Sequence, residues 1–163
     1  MRDLNVFRIP LDGFSLERVD ISNKDHVKAI KGLRDRTAKK MCFDVRDDIK
    51  KMKSGRDVGN RFLVKSDDDY LGYMFISNDH NSERALSMIV NKKLRGKGYG
   101  KVILTGVSDY LLKSGIASSV RLYIKNENIQ STRMALACGF SKDESQISGT
   151  SIYSRRSKWF FRK

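Results

Sequence analysis

The run Arg95-Gly96-Lys97-Gly98-Tyr99-Gly100-Lys101 is where this sequence first suggests chemistry. Alternate glycines leave main-chain amides open to an incoming group, and Lys92, Lys93, Arg95, Lys97 and Lys101 surround them with no acid among them. Beyond the loop, Val102, Ile103, Val107, Tyr110 and Leu111 recur at helical spacing, which predicts a helix that starts inside the glycines and ends at Ser114-Gly115. Such a junction gathers unpaired N–H groups and the positive end of a helix dipole at one point, and an anion, above all a phosphate, belongs there. A plain flexible turn would account for the glycines but not for their coincidence with a helix start and a cluster of bases.

Phosphate loops differ in spacing. A P-loop needs four residues before Gly-Lys and then Ser or Thr, whereas Gly100-Lys101 is followed by Val102 and the gap from Gly96 is three. The dinucleotide pattern G-x-G-x-x-G fails because the third glycine comes one residue early, and no acid stands about twenty residues on to hold a ribose. The pattern that remains, Arg/Gln-x-x-Gly-x-Gly, is met by Arg95, Gly98 and Gly100.

The elements that must position this loop follow from periodicity. Residues 14 to 20 alternate as a strand, and Ser22 or Asn23 caps a helix carrying Val27, Ile30 and Leu33. A second helix is predicted from Val45 to Lys53, then a hairpin of Phe62-Leu63-Val64 and Tyr70 to Ile76 around Asp67-Asp68-Asp69, a solvated tip without the Gly and distal Glu of a calcium loop. Ala85 to Val90 reads as a central strand feeding the glycine loop. Val120, Leu122 and Ile124 alternate as the next, Asn128 caps a helix from Ile129 to Cys138 that Gly139 closes, and strands follow from Phe140 and over Gly149 to Phe160. No linker interrupts this order, so residues 1–163 are read as one mixed α/β domain.

Composition supports a folded protein: 163 residues, 39% hydrophobic and 32% charged, enough to bury roughly 70% of the unfolded surface. Cys42 and Cys138 are too few for a disulfide framework or a Cys-rich zinc site, and no apolar stretch approaches signal-peptide or membrane length, so a soluble cytoplasmic protein without metal or membrane partner is expected. The net charge is +14, most of it beyond residue 80, in the glycine-loop cluster and in a tail where Arg155, Arg156, Lys158, Arg162 and Lys163 interleave with Trp159, Phe160 and Phe161. That field attracts phosphates, nucleic acid or acidic protein and disfavours polycationic substrates.

With both the loop and the strand–loop–helix order in view, the sequence resembles the GNAT superfamily of acyl-CoA-dependent N-acyltransferases. A second signature is similar too: Asn128-x-x-Ser131 followed by Gly139-Phe140. The resemblance implies a mostly antiparallel sheet of six or seven strands, about four flanking helices, and a V-shaped splay between the fourth and fifth strands, near Ala85–Val90 and Val120–Ile124. Acetyl-CoA would lie in the V. Met88, Ile89 and Val90 would offer main-chain groups to its pantetheine arm and thioester, Arg95, Gly96, Lys97, Gly98, Tyr99, Gly100 and Lys101 would hold the pyrophosphate, and Asn128 and Ser131 would lie along it. Glu83 stands one residue from the family's place for a general base, with Asp79, His80 and Glu127 as alternatives acting from polar turns. The Tyr that many members carry four residues before Gly-Phe as general acid is Ala135 here, which leaves Ser131, Tyr123 or Tyr153 to protonate the sulfur, while Cys138 is read as packing.

Two functions compete at this stage. One is an acetyl-CoA-dependent N-acetyltransferase for an amine on a protein or an RNA-linked acceptor, its basic tail calling for an acidic partner such as the ribosome, tRNA or an acidic protein, with a homodimer left open. The other is a GNAT-like module that binds CoA or nucleic acid without catalysis.

Overall fold

The computed structural model describes Leu4 and residues 8–55, 60–79 and 81–158. Its strands are β1 (Arg8–Leu11), β2 (Phe14–Arg18), β3 (Asn60–Ser66), β4 (Asp69–Asn78), β5 (Glu83–Val90), β6 (Ser119–Lys125), β7 (Ser141–Ile147) and β8 (Thr150–Arg156). Its helices are α1 (Lys24–Gly32), α2 (Arg36–Met41), α3 (Val45–Lys53), α4 (Tyr99–Lys113) and α5 (Ile129–Ala137). All eight strands join one sheet in the order β1-β2-β3-β4-β5-β6-β8-β7. Every pairing is antiparallel except β5 with β6.

The class and the mostly antiparallel sheet match the sequence reading, with two additions. Arg8–Leu11 folds back on β2 through the turn at Asp12-Gly13, so the splayed pair are the fifth and sixth strands, not the fourth and fifth. A six-residue helix, α2, begins at the N-cap Asp35 and buries only Ala38, too little to leave a periodic signal. The last strand stops at Arg156 rather than Phe160, and Trp159–Lys163 and His80 lie outside the described residues.

Side chains divide the sheet into two cores because successive residues of a strand face opposite ways. Leu86, Val120, Leu122 and Ile124 meet Ile103, Leu104, Val107 and Leu111 of α4 and Ala135 of α5 on one face. Leu63, Tyr73 and Ile89 meet Ile30 of α1, Ala38 of α2, and Val45 and Ile49 of α3 on the other. A buried ion pair locks the second face: Arg61 donates to both oxygens of Asp48 at 2.9 and 2.7 Å, and the Tyr73 hydroxyl donates to the same carboxylate. Burial, then that carboxylate, push the Tyr73 hydroxyl far above its ordinary pKa, so it stays a donor.

Candidate active site

The parallel ladder between β5 and β6 has three rungs, Glu83 with Ser119, Arg84 with Val120 and Ala85 with Arg121. Beyond Ala85 the strands part, and each keeps its outer neighbour: β5 pairs β4 up to Val90, and β6 pairs β8 up to Lys125. Main-chain direction in the resulting cleft follows from the antiparallel bonds that flank it. Asp79 N–H donates to Glu83 O at 3.1 Å and Asn91 N–H to Leu71 O at 2.8 Å, so the odd residues of β5 face β4 and the even ones, Met88 and Val90, face the cleft. Ile89 gives its main chain to β4 and its side chain, 3% exposed, to the core, which leaves it no backbone group for the cleft. On the opposite wall Ser157 N–H donates to Ser118 O and Asn126 N–H to Gly149 O, so even residues of β6 face β8 and Tyr123 and Lys125 turn their main chain inward.

The glycine loop closes the open end of this cleft. After a 3₁₀ turn at Lys92–Leu94, Gly96 and Gly98 adopt φ of +75° and +86°, which L side chains rarely take, and Gly98 is the N-cap of α4. The first helical bond runs from Val102 N–H to Gly98 O at 3.2 Å, and the amides of residues 96 to 101 have no acceptor among the described residues. A Cβ on Gly96 or Gly98 would meet nothing within 4 Å, so it is the left-handed backbone and not crowding that calls for glycine there. Gly100 serves differently: a Cβ there would lie 2.9 Å from Met134 Sδ and 3.7 Å from Val90 Cγ2, so its bareness lets α5 and β5 close on the first turn of α4. Lys97 and Lys101 are exposed at the rim. Arg95 instead turns into the fold, where Nε donates to Val90 O at 3.0 Å and Nη1 to Asp35 Oδ2 at 2.6 Å. That hydrogen bond from Arg95 holds the Asp35 carboxyl below its ordinary pKa.

Asn128 sits just past the end of β6 and caps α5, its Oδ1 accepting from Ser131 N–H at 3.2 Å. The Ser131 hydroxyl makes no bond among the described residues. Ala135, in the place where the resemblance looks for Tyr, is fully buried at 0% exposure and carries no polar group. Cys138 is buried with Sγ 3.7 Å from Lys101 O, a packing residue that fixes α5 to α4.

At the closed end of the cleft, on the face of α1 to α3, the structure assembles residues that the sequence only scattered. Arg121 reaches Glu83 Oε2 at 3.1 Å and Asp79 Oδ2 at 3.6 Å, and the Tyr123 hydroxyl donates to Asp79 Oδ2 at 2.7 Å. Burial, then the Asp79 hydrogen bond, raise the Tyr123 pKa above 10.0, so the phenol keeps its proton. Glu127 lies apart, 3.5 Å from Lys40 Nζ on α2. Tyr153 belongs to the core at 6% exposure. The α2 end lies over the cleft: Lys125 Nζ donates to Lys40 O, and Cys42 Sγ stands 3.9 Å from Met88 O. Cys42 is an exposed free cysteine, and desolvation by its surroundings pushes its thiol up to about 11, so it stays a neutral donor.

Asp35, Cys42 and Arg121 were not singled out in the sequence. Asp35 had a signal, an Asp one residue before a helix; Arg121 had none, because only the parallel register sets it beside Glu83. Of the basic tail, Arg155 is spent internally on Asp109 at 2.7 Å.

The cleft and the anion seat together fit a ligand with an elongated amide-bearing arm and a pyrophosphate. No helix among the described residues is long and apolar enough to cross a membrane. The fold is similar to that of a GNAT-family acetyltransferase from Bacillus anthracis, at 15% identity and TM-score 0.72 over 93% of this chain and 99% of that one. It is also similar to RimL, a ribosomal alpha-N-protein acetyltransferase in complex with coenzyme A, at 13% identity and TM-score 0.72 over 91% and 97%. A third likeness is spermidine N-acetyltransferase from Vibrio cholerae in complex with CoA and spermine, at 14% identity and TM-score 0.68 over 90% and 96%. No curated protein matches in sequence. The family model described as "Acetyltransferase (GNAT) family" matches residues 32–140, more than half of the chain and both of its signatures, and the chain therefore belongs to that family of acetyl-CoA-dependent N-acetyltransferases.

Proposed function

We propose that this chain transfers the acetyl group of acetyl-CoA to an amine on a protein, an N-terminus or a lysine, or on an RNA-linked acceptor, by direct attack on the thioester. One observation carries the reading: the unpaired amides of residues 96 to 101 stand at the open end of a cleft whose walls turn main-chain groups inward at Met88, Val90, Tyr123 and Lys125. The pyrophosphate would lie on those amides with Lys97 and Lys101 at its rim, Arg95 bracing the loop from behind. The pantetheine arm would run between β5 and β6 toward the acidic cluster, passing Asn128 and Ser131.

The amine must shed a proton before its nitrogen bonds to the carbonyl carbon. Glu83 and Asp79 are the acceptors of that proton, directly or through water. As the C–N bond forms the carbonyl oxygen gains charge, which a cleft amide stabilises, and as the C–S bond breaks the thiolate takes a proton. With Ala135 at the usual donor position, the Ser131 hydroxyl and the Tyr123 phenol are the groups to supply it.

Release of thiol from acetyl-CoA in the presence of ribosomal proteins, charged tRNA and small amines tests the reading. Turnover on at least one acceptor, abolished in Gly98→Glu and reduced by about 10²- to 10⁴-fold in Glu83→Gln or Asp79→Asn, is the expected result. The buried Ala135 favours a second reading, a module that holds CoA or nucleic acid without chemistry. CoA binding with no thiol release on any acceptor, and an RNA affinity that falls steeply with salt, would select it.

A further inference from the structure

Beside the cleft, α2, the start of α3 and the segments that join them to their neighbours line an open hollow of about 400 Å³ that the acetyl-transfer machinery does not use. Its apolar lining comes from Leu33, Phe43 and Val45, and its cations are Arg34, Arg36, Lys39 and Arg46. Two acids also line it, and both are engaged. Asp35 is bound by Arg95 at 2.6 Å and caps α2, while Asp44 lies 3.1 Å from Lys39 and 3.7 Å from Arg46 and caps α3. Arg34 and Arg36 meet no acid among the described residues.

The hollow borders the cleft through two contacts. Asp35 lines the hollow and holds Arg95 at the glycine loop, and Cys42 touches Met88 of the cleft while its neighbour Phe43 lines the hollow. The end of α2 lies over the cleft at Met88 and Lys125, so a chain laid across α2 into the cleft would pass this basic hollow.

Resting on the acetyl-transfer reading, we infer that the hollow receives an acidic side chain of a peptide acceptor, so that the substrate is a protein segment with Glu or Asp close to the reactive amine. A carboxylate on a short aliphatic stem matches the two halves of the lining, cations for the head and Leu33, Phe43 and Val45 for the stem. A nucleic acid backbone would need an open row of bases and would gain nothing from an apolar floor. A polyamine would be repelled.

The test is the fluorescence anisotropy of three hexapeptides with free N-termini and a C-terminal dye, alternating Ala with Glu, Gln or Lys, measured on the full chain with CoA affinity read separately by calorimetry. The Glu peptide should bind at least about tenfold more tightly than the Gln peptide, and the Lys peptide most weakly. Arg34→Glu combined with Arg36→Glu should erase or invert that order with the thermal midpoint unmoved, since both side chains are exposed and a Glu at the first position of α2 suits the helix dipole. Arg36→Gln should give an intermediate order. Equal binding of Glu and Gln peptides, or a preference that survives the double reversal, overturns the inference. So does an oligouridine that displaces the Glu peptide and binds more tightly through the same arginines. If CoA fails to bind, the acetyl-transfer reading falls; if CoA binds and no Glu preference exists, only the acidic-acceptor inference falls.

Discussion

Gly72 offers the sharpest test of how the cleft is built. It stands opposite Val90 in the β4–β5 register, and a Cβ there would lie 2.5 Å from Ile89 O and 3.4 Å from Ile89 C and Val90 Cα, all main-chain atoms. Real Cβ contacts under 3.0 Å essentially do not occur, so in Gly72→Ala one strand must yield by at least about half an ångström. Overpacking costs about 1–3 kcal/mol, and a backbone obstacle with no rotamer to change places this variant in the upper half, about 2–3 kcal/mol. For a domain of this size that lowers Tm by roughly 4–12 °C.

The displaced stretch also bears the inward groups of Met88 and Val90, so ligand binding should suffer with it. Acetyl-CoA at one hundred times its Kd stabilises the native chain by about 2.7 kcal/mol; a tenfold loss of affinity cuts that increment to about 1.4 kcal/mol at the same concentration. Thermal unfolding with and without acetyl-CoA reads both effects. Leu112→Ala, a core truncation at the far end of α4 costing about 2–5 kcal/mol, is the control and should keep the full increment. In Gly100→Ala the obstacle is the flexible end of Met134, and the cost should stay below about 1 kcal/mol. A native Tm for Gly72→Ala, or a ligand increment equal to that of Leu112→Ala, would refute the argument.

Gly98→Ala should weaken CoA binding by roughly 5- to 30-fold in calorimetry, because the loop must re-enter a left-handed conformation that costs about 1–2 kcal/mol for alanine. Asp48→Asn should lower the urea-unfolding free energy by about 1.5–3 kcal/mol, since it takes the charge from the carboxylate that accepts from the buried Arg61 and from Tyr73. Because Arg95 depresses the pKa of Asp35, that pair's contribution to stability is present above the ordinary carboxylate value of 3.8 and is lost as pH falls through the lower folded value. Acid unfolding followed by circular dichroism should therefore begin at higher pH in Arg95→Gln, and an unchanged acid midpoint would contradict the pair's role.

Local signals carried much of this molecule. The helix start at the glycines, the cap at Asn128 and the close at Gly139 each depend on a few adjacent residues, and all three stand in the structure as read. The hairpin of β1 and β2 carries its own mark, Asp12-Gly13 between extended segments, and β1 tolerates Pro10 because it is an edge strand. What depends on register was not legible. Spacing alone could not tell that Ile89 turns its main chain away from the cleft while Met88 and Val90 turn theirs in. Nor could it reveal that Arg121 bridges Glu83 and Asp79, or that Arg95, a base in a basic cluster, spends its charge on an acid sixty residues earlier. Gly72 is silent in the same way, since its need for a bare Cα arises from a carbonyl on another strand.

The short ladder between β5 and β6 has a consequence for cooperativity. With rungs only at Glu83 to Ala85, the sheet is two half-sheets, β1 to β5 and β6 to β8, whose main-chain pairing across the seam is confined to those rungs. Such a seam is a natural boundary between independently opening units, so deuterium should enter the inward amides of Met88, Val90, Tyr123 and Lys125 ahead of their neighbours. A ligand laid along that seam acts as a suture, and its departure would return the two halves to separate breathing.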